Sequence, residues 1–481
     1  MGNNIILCVM DTARADDVHF VTQHENRTFF SFLEENGQKY TNAFAPAPWT
    51  LPSHGSLFTG RYPSKHGAHA EHKYLGDSYK TIAEILQESG YSTVGVTNNA
   101  WITDEFGFDQ GFDEFIKVWQ YLKTNTDFGE IALTKNGIDQ IKGALNGLIN
   151  GEIHKNIVNA LYGQYLYRRN DYGADRTNAL IRNYLENRDN TNPFFMFINY
   201  LEPHLDYQPP QKYAEKYLPD TISYEDAMAV PQRPWEYVTG NLEMTERDFE
   251  ALRGLYRGEI SYLDSKLLEL KQNLQEENEW EKTIFILVGD HGENIGHHNL
   301  MDHQYSLYDS LLHVPLMICG GPFQKGKTIE DLVQIHDIYN TIVDLVGKEV
   351  KSEQSISLHP DNDERRDQIV AEYMGPQPSI ESLEEQMDHV PERVYAYDRR
   401  LRALRTQNYK IIRGSDGLSE LYDIRTDPKE QTDIYEEKKD IYEEYAVTLD
   451  NWLASFEQNQ ESGDVDISGG TQQRLEDLGY L

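Results

Sequence analysis

Asn4-Ile5-Ile6-Leu7-Cys8-Val9-Met10-Asp11 is a continuous apolar run closed by a carboxylate, and its reading decides the fold. A strand that is apolar at every position, rather than every second one, is covered on both faces, the condition of a parallel strand inside an α/β sheet. Thr283-Ile284-Phe285-Ile286-Leu287-Val288-Gly289-Asp290-His291-Gly292-Glu293 repeats the pattern: an apolar strand that runs straight into charged residues and a glycine. Ligands of open α/β sheets bind beyond the carboxyl ends of the strands. Asp11, Asp290 and His291 are therefore expected to meet at one edge, although they are far apart in sequence.

Working outward, Thr50-Leu51-Pro52-Ser53-His54-Gly55-Ser56-Leu57-Phe58-Thr59-Gly60 places a hydroxyl at a helix start. Pro52 suits the first turn, and the free N–H groups and positive dipole end of such a helix attract an anionic group. Two carboxylates, an imidazole and this hydroxyl make a divalent-metal site, in which the cation would activate the Thr50 oxygen and polarise an ester. Each residue also has a plainer reading. Thr is a common N-cap, an Asp after a strand often caps the next helix, and a single His is commonly structural. Joint occurrence is what favours the site.

Taken together, these residues resemble the sulfatase branch of the alkaline phosphatase superfamily. The resemblance rests on Asp11-Thr12-Ala13-Arg14-Ala15-Asp16, Ala47-Pro48-Trp49-Thr50-Leu51-Pro52-Ser53-His54, Leu57-Phe58-Thr59-Gly60-Arg61-Tyr62-Pro63, Pro203-His204 and Gly289-Asp290-His291-Gly292-Glu293. Glu420-Leu421-Tyr422-Asp423 with Asp427-Pro428, and the closing Leu478-Gly479-Tyr480-Leu481, extend it over nearly the whole chain. It implies an alkaline-phosphatase-like three-layer sandwich with a mainly parallel central sheet and a small C-terminal antiparallel sheet. It implies Asp11, Thr50, Asp290 and His291 as ligands of one divalent ion (Mn, Mg, Ca or Zn), with Thr50 also the attacking group. His54 falls where many relatives carry an Arg. His204 matches a Pro-His element that contacts substrate oxygens or protonates the leaving group, and His303 lies near a position whose side chain contacts the same oxygens.

The departures bear on the reaction. Sulfatases proper oxidise a Cys or Ser at the nucleophile position to formylglycine, and Thr50 cannot supply that aldehyde. Thr12 stands where many have another metal-binding Asp, and Asn98-Asn99 where many have Gly-Lys. A Thr nucleophile is similar instead to lipoteichoic acid synthase and related phosphoglycerol transferases. The resemblance thus implies a metal-dependent hydrolase or phosphotransferase acting on a phosphate mono- or diester of a small molecule, glycan or lipid. A sulfuric ester hydrolase working without formylglycine and a catalytically silent metal-binding protein are the alternatives.

Composition bounds the rest. The chain has 481 residues, 39% of them hydrophobic, which is long enough for a large domain plus a smaller one; the expected division is a catalytic domain over 1–366 and a C-terminal subdomain over 367–481. Eighty Asp and Glu against 44 Lys and Arg give a net charge of -36, which repels nucleic acid and excludes it as a partner. Such an acidic coat is also that of a halophilic protein. Cys8 and Cys319 read as small apolar core residues, so no disulfide framework is implied. The start lacks a signal-peptide pattern, and no apolar run is long enough to span a bilayer, so a cytoplasmic enzyme is expected.

Along the chain, Thr81 to Ser89, Asp175 to Asn187, Thr245 to Glu277 and Asp331 to Val346 read as helices, and Thr93 to Thr97 and Pro193 to Tyr200 as strands. Ile138 to Ile149 carries helical patterning. Tyr207 to Trp235 reads as a long loop and Ser352 to Arg366 as a polar linker. Ile369 to Tyr373, Arg402 to Thr406, Tyr409 to Ile412 and Leu421 to Ile424 suggest the small antiparallel sheet, and the acidic stretch Glu457 to Asp466 a solvated connector to a last helix.

Overall fold

In the computed structural model, residues 2–120 and 171–477 are described, apart from 378, 382–383, 385–389, 460–464 and 466; the helical expectation for 138–149 and the closing segment 478–481 lie outside them. Fourteen strands are present among the described residues: β1 (Asn4–Met10), β2 (Gly37–Phe44), β3 (Ser92–Thr97), β4 (Glu114–Lys117), β5 (Phe194–Tyr200), β6 (Thr283–Gly289), β7 (Asn294–Ile295), β8 (Met301–Asp302), β9 (Leu316–Cys319), β10 (Lys327–Gln334), β11 (Ile369–Tyr373), β12 (Leu401–Arg405), β13 (Tyr409–Gly414) and β14 (Ser419–Asp423). Eight form the central sheet in the order β10-β2-β9-β6-β1-β5-β3-β4. Only β9 runs against its neighbours, so the sheet is mainly parallel, as the apolar strands require.

The two faces of β1 explain the layers. Ile6, Cys8 and Met10 enter a core with Leu252, Leu255, Leu263 and Leu267 of the Glu246–Glu276 helix. Ile5, Leu7 and Val9 enter a second core with Leu51, Leu57 and Phe58 of the Thr50–Thr59 helix and Ile338 and Ile342 of the Asp337–Leu345 helix. Every β1 residue is buried, and each large apolar side chain so placed contributes about 1.5–3 kcal/mol relative to exposure. The Glu246–Glu276 helix starts where Thr245 and Asp248 form a capping box.

Register fixes the site. Met10 lies opposite Tyr200 of β5 and Gly289 of β6, and Thr97 of β3 lies opposite Asn199 of β5. The segments starting at Asp11, Asn98, Leu201 and Asp290 therefore leave the sheet at one level.

The strands β11 to β14 make a four-stranded antiparallel sheet in chain order. One face packs on Tyr442, Ala446 and Leu449 of the Lys439–Ala454 helix, the other on Phe44, Tyr305, Leu307 and Leu312. The helix expected over Asp331 to Val346 is two elements. Leu332 and Val333 belong to β10 and pair with β2, and the helix begins at Asp337; a short apolar run has no period long enough to tell strand from helix. The polar 352–366 stretch is pinned rather than loose. Asn340 donates to the Ser352 and Ser355 carbonyls, and Asp337 accepts from Ile356 N and the Arg366 guanidinium. Within the long 207–235 loop lie short helices at Gln211–Ala214 and Tyr224–Met228. Cys8 and Cys319 are buried and free, and no helix among the described residues is long and apolar enough to cross a membrane.

Candidate active site

Thr50 is the first residue of its helix; Trp49 occupies the N-cap and makes no side-chain cap. The Thr50 hydroxyl is thus not spent on capping. Its Oγ1 lies 3.2 Å from His291 Nε2 and 3.4 Å from Asn99 Nδ2, and the residue is wholly buried. Asp11, Asp290 and His291 converge with it: their ligand atoms all lie within 4.8 Å of one another. His291 Nε2 is 3.3 Å from Asp290 Oδ2 and 3.8 Å from Asp11 Oδ1.

The donor set fits a divalent cation. His291 Nδ1 faces the Gly292 carbonyl at 2.9 Å. A carbonyl only accepts, so Nδ1 carries the hydrogen and Nε2 turns its lone pair to the carboxylates. Among the described residues, Asp11 Oδ1 and Asp290 Oδ2 have no hydrogen-bond partner although both are buried. Two orphaned carboxylate oxygens facing a nitrogen lone pair are costly unless a cation sits between them. Ligands about 2.0–2.6 Å from one ion stand roughly 3–4 Å apart, the spacing found. Burial pushes the Asp11 carboxyl up to about 6 and the Asp290 carboxyl well above its ordinary value, the latter helped by the Asp11 charge, and it drives His291 well below its own.

Backbone strain holds the carboxylates. Thr12 follows Asp11 at φ 58°, a left-handed conformation that a β-branched residue rarely takes. It aims the Thr12 N–H at Asp290 Oδ1 (3.1 Å) and its carbonyl at the Tyr256 hydroxyl (2.7 Å). Ser53 donates to the Asp290 carbonyl at 2.5 Å. Gly292 is required by close approach, since a Cβ there would lie 2.2 Å from the Ser310 carbonyl oxygen.

The three other histidines from the sequence also gather here. His54 Nδ1 is 3.0 Å from the Thr50 carbonyl and 3.5 Å from Asp290 Oδ2; burial lowers it to about 4. His204 Nδ1 faces the Leu205 carbonyl at 2.5 Å, and burial lowers it to about 3. The His303 ring stands 4.7 Å from that of His291 and 5.2 Å from that of His204. Its Nδ1 meets Asp302 Oδ1 at 2.7 Å and Glu293 Oε2 at 3.6 Å. Burial opposes its charge, yet Asp302 and Glu293 hold it well above the usual range.

Sequence reading set Asn98-Asn99 against a Gly-Lys of relatives but gave Asn99 no role, whereas its amide joins Asp11 Oδ2 (2.6 Å) to the Thr50 hydroxyl; the Asp302–Glu293 support behind His303 was missed altogether. Asn99 stands just beyond an apolar strand, as Asp11 does, and that was the available signal. His336 and Asp337 lie apart from this site, in the buried Arg366 cluster.

A sulfatase family model matches residues 3–348. The chain belongs to the sulfatase family. A model of the N-sulphoglucosamine sulphohydrolase C-terminal region matches residues 296–459. Arylsulfatase K of Gallus gallus is 24% identical over 434 residues, covering 84% of this chain and 74% of the relative. Ulvan-active sulfatase of Formosa agariphila is 23% identical over 458 residues, covering 90% and 76%. Phosphonate monoester hydrolase of Agrobacterium radiobacter has a similar structure, with a TM-score of 0.69 at 19% identity over 97% of this chain and all of that one. A protein solved with its substrate D-glucosamine-2-N,6-O-disulfate gives 0.67 at 18% identity over 96% and 100%. These likenesses support the α/β fold read from the apolar strands.

Proposed function

We propose that this sulfatase-family chain cleaves a phosphate mono- or diester by double displacement, with Thr50 as nucleophile and a divalent ion held by Asp11, Thr50, Asp290 and His291. The observation that carries the reading is the uncapped Thr50 hydroxyl, 3.2 Å from His291 Nε2 at the opening turn of a buried helix. A bound cation would supply Lewis acidity, lowering the hydroxyl's pKa and drawing charge from the ester's non-bridging oxygens. Thr50 Oγ1 loses its proton to solvent and forms a bond to phosphorus as the bond from phosphorus to the ester's alcohol oxygen breaks, and His303 protonates that departing oxygen. His204 is the weaker donor: its Nδ1–H is engaged by the Leu205 carbonyl, whereas a carboxylate 2.7 Å from His303 Nδ1 favours imidazolium. Water or an acceptor hydroxyl then attacks phosphorus, giving its proton to the now neutral His303, and the bond from phosphorus to the Thr50 oxygen breaks. A hydroxyl ester can be resolved this way at phosphorus, while a sulfated threonine lacks the aldehyde exit.

Sulfate ester hydrolysis is the second reading, supported by relatives named as sulfatases and by a structural neighbour whose substrate is a sulfated sugar. Turnover of p-nitrophenyl phosphate, bis-p-nitrophenyl phosphate and p-nitrophenyl sulfate, each with Mn, Mg, Ca and Zn, tests both. Faster release from either phosphate supports the proposal. Faster cleavage of the sulfate replaces it with the second reading, and no turnover of any ester leaves the silent metal-binding alternative.

A further inference from the structure

We infer that Asn99 and the backbone amides of Thr12 and His291 decide which ion the site takes: they leave each carboxylate one donor oxygen, so that a small set of donors favours zinc over calcium. This rests on the reading of the site given above. Asp11 gives its Oδ2 to the Asn99 amide at 2.6 Å. Asp290 gives its Oδ1 to the Thr12 N–H at 3.1 Å and to the His291 N–H at 2.9 Å. What remains of the two carboxylates is Asp11 Oδ1 and Asp290 Oδ2, the buried pair without hydrogen-bond partners among the described residues. With His291 Nε2 and the Thr50 hydroxyl, 3.2 Å apart, the presumed ligands offer one atom apiece, one of them nitrogen.

The Asn99 amide is fixed in this orientation. Its Oδ1 accepts from Trp101 N at 2.8 Å, which turns Nδ2 to Asp11, and its own N–H donates to Thr97 Oγ1 at 3.2 Å. A ligating carboxylate whose second oxygen is held by such donors binds a metal through the first alone. Asp11, Thr50, Asp290 and His291 are all wholly buried, which limits the water that would complete a larger shell. Calcium takes about six to eight oxygens, often through bidentate carboxylates, and magnesium keeps an octahedron with several waters. Zinc accepts four donors of mixed nitrogen and oxygen, and binds such donors more tightly than manganese does.

Metal binding to the chelator-stripped full chain tests the inference without turnover. Dialysis against equimolar zinc and calcium, followed by mass spectrometry of the bound ions, should find zinc. Asn99→Leu frees Asp11 Oδ2 and should lower the zinc-to-calcium preference about 10- to 100-fold. A merely destabilised protein would lose both ions alike, so the ratio reports the carboxylate. An unchanged ratio in N99L, or calcium held by the wild type as well as zinc, overturns the inference. Wild-type protein that retains neither ion overturns the reading of the site itself. Should N99L fold poorly, cobalt in the wild type decides: the strong visible absorption of a four-coordinate ion supports the inference, and the weak absorption of a six-coordinate one refutes it.

Discussion

Thr50→Val separates chemistry from stability. Valine keeps the shape of threonine and removes only the hydroxyl, whose contacts, 3.2 Å to His291 and 3.4 Å to Asn99, are long for hydrogen bonds. Their net loss is worth about 1 kcal/mol. Unfolding entropy near 2.1 cal/mol/K per residue, over 481 residues, is roughly 1 kcal/mol/K, so the Tm should move by only about 1–2 °C. Turnover of the best p-nitrophenyl ester at saturating metal should fall by about 10⁴-fold or more, because the whole covalent route is gone. Thr50→Ser, which keeps the oxygen, should stay within about tenfold of wild type. Differential scanning fluorimetry and steady-state kinetics on the same samples provide both numbers. A T50V protein that retains a tenth of wild-type kcat/KM would refute Thr50 as nucleophile, and a Tm drop several times larger than computed would refute its independence from the fold.

Removing metal with a chelator should lower the Tm in a pH-dependent way. The folded Asp11 pKa of about 6 lies above its ordinary 3.8, so its contribution to metal-free stability is fully present below about pH 4 and is lost as pH rises through 6. A cation offsets that loss, so the Tm gained on adding metal should increase between about pH 5 and pH 7.5; an equal gain at both would contradict it. Asp302→Asn removes the carboxylate 2.7 Å from His303 Nδ1 and should shift the alkaline limb of kcat/KM to lower pH by about one unit or more. Lys410 is fully buried between Asp309 and Glu430; Lys410→Met should cost about 3–5 kcal/mol, read as a fall of several degrees in Tm that Glu430→Gln partly restores. With a net charge of -36, the protein should melt higher in concentrated KCl than in dilute buffer, since screening relieves self-repulsion; the opposite order would count against the halophilic expectation.

The parts of the molecule written as local pattern were legible in the sequence. Apolar runs ending in Asp11 and Asp290 reveal both the doubly covered sheet and its chemical edge, because burial on both faces forces the pattern and the carboxyl end collects ligands. What register and long-range return create was not legible. Asn99 enters the site because β3 pairs with β5 at the level where β1 ends, and no local spacing encodes that pairing. The Gly469–Asp477 helix is short and polar and its composition looks solvated; only the buried Leu475 and the bond from Thr471 to Glu105 reveal its place. Leu332 and Val333 were read into a helix because only the last part of their edge strand is apolar and buried.

A charge count at the site sharpens the choice among esters. Asp11 and Asp290 contribute two negative charges, which a divalent ion cancels. Burial keeps His54, His204 and His291 neutral near pH 7. Asp302, held low chiefly by the His303 charge against burial, offsets imidazolium at His303, and Glu293, pushed up to about 7 by burial, adds less than a full negative charge below that pH. The site with its cation is then close to neutral, which suits a singly charged ester better than a dianion, since in a water-poor cavity each further unmatched charge about 4 Å away costs on the order of 4 kcal/mol at an effective dielectric of 20. Phosphodiesters and sulfate monoesters carry one charge; a phosphate monoester carries two at neutral pH. The Thr50 exit chemistry disfavours sulfate, so the two constraints together favour a diester: bis-p-nitrophenyl phosphate should outrun p-nitrophenyl phosphate, and the reverse order would contradict the charge count.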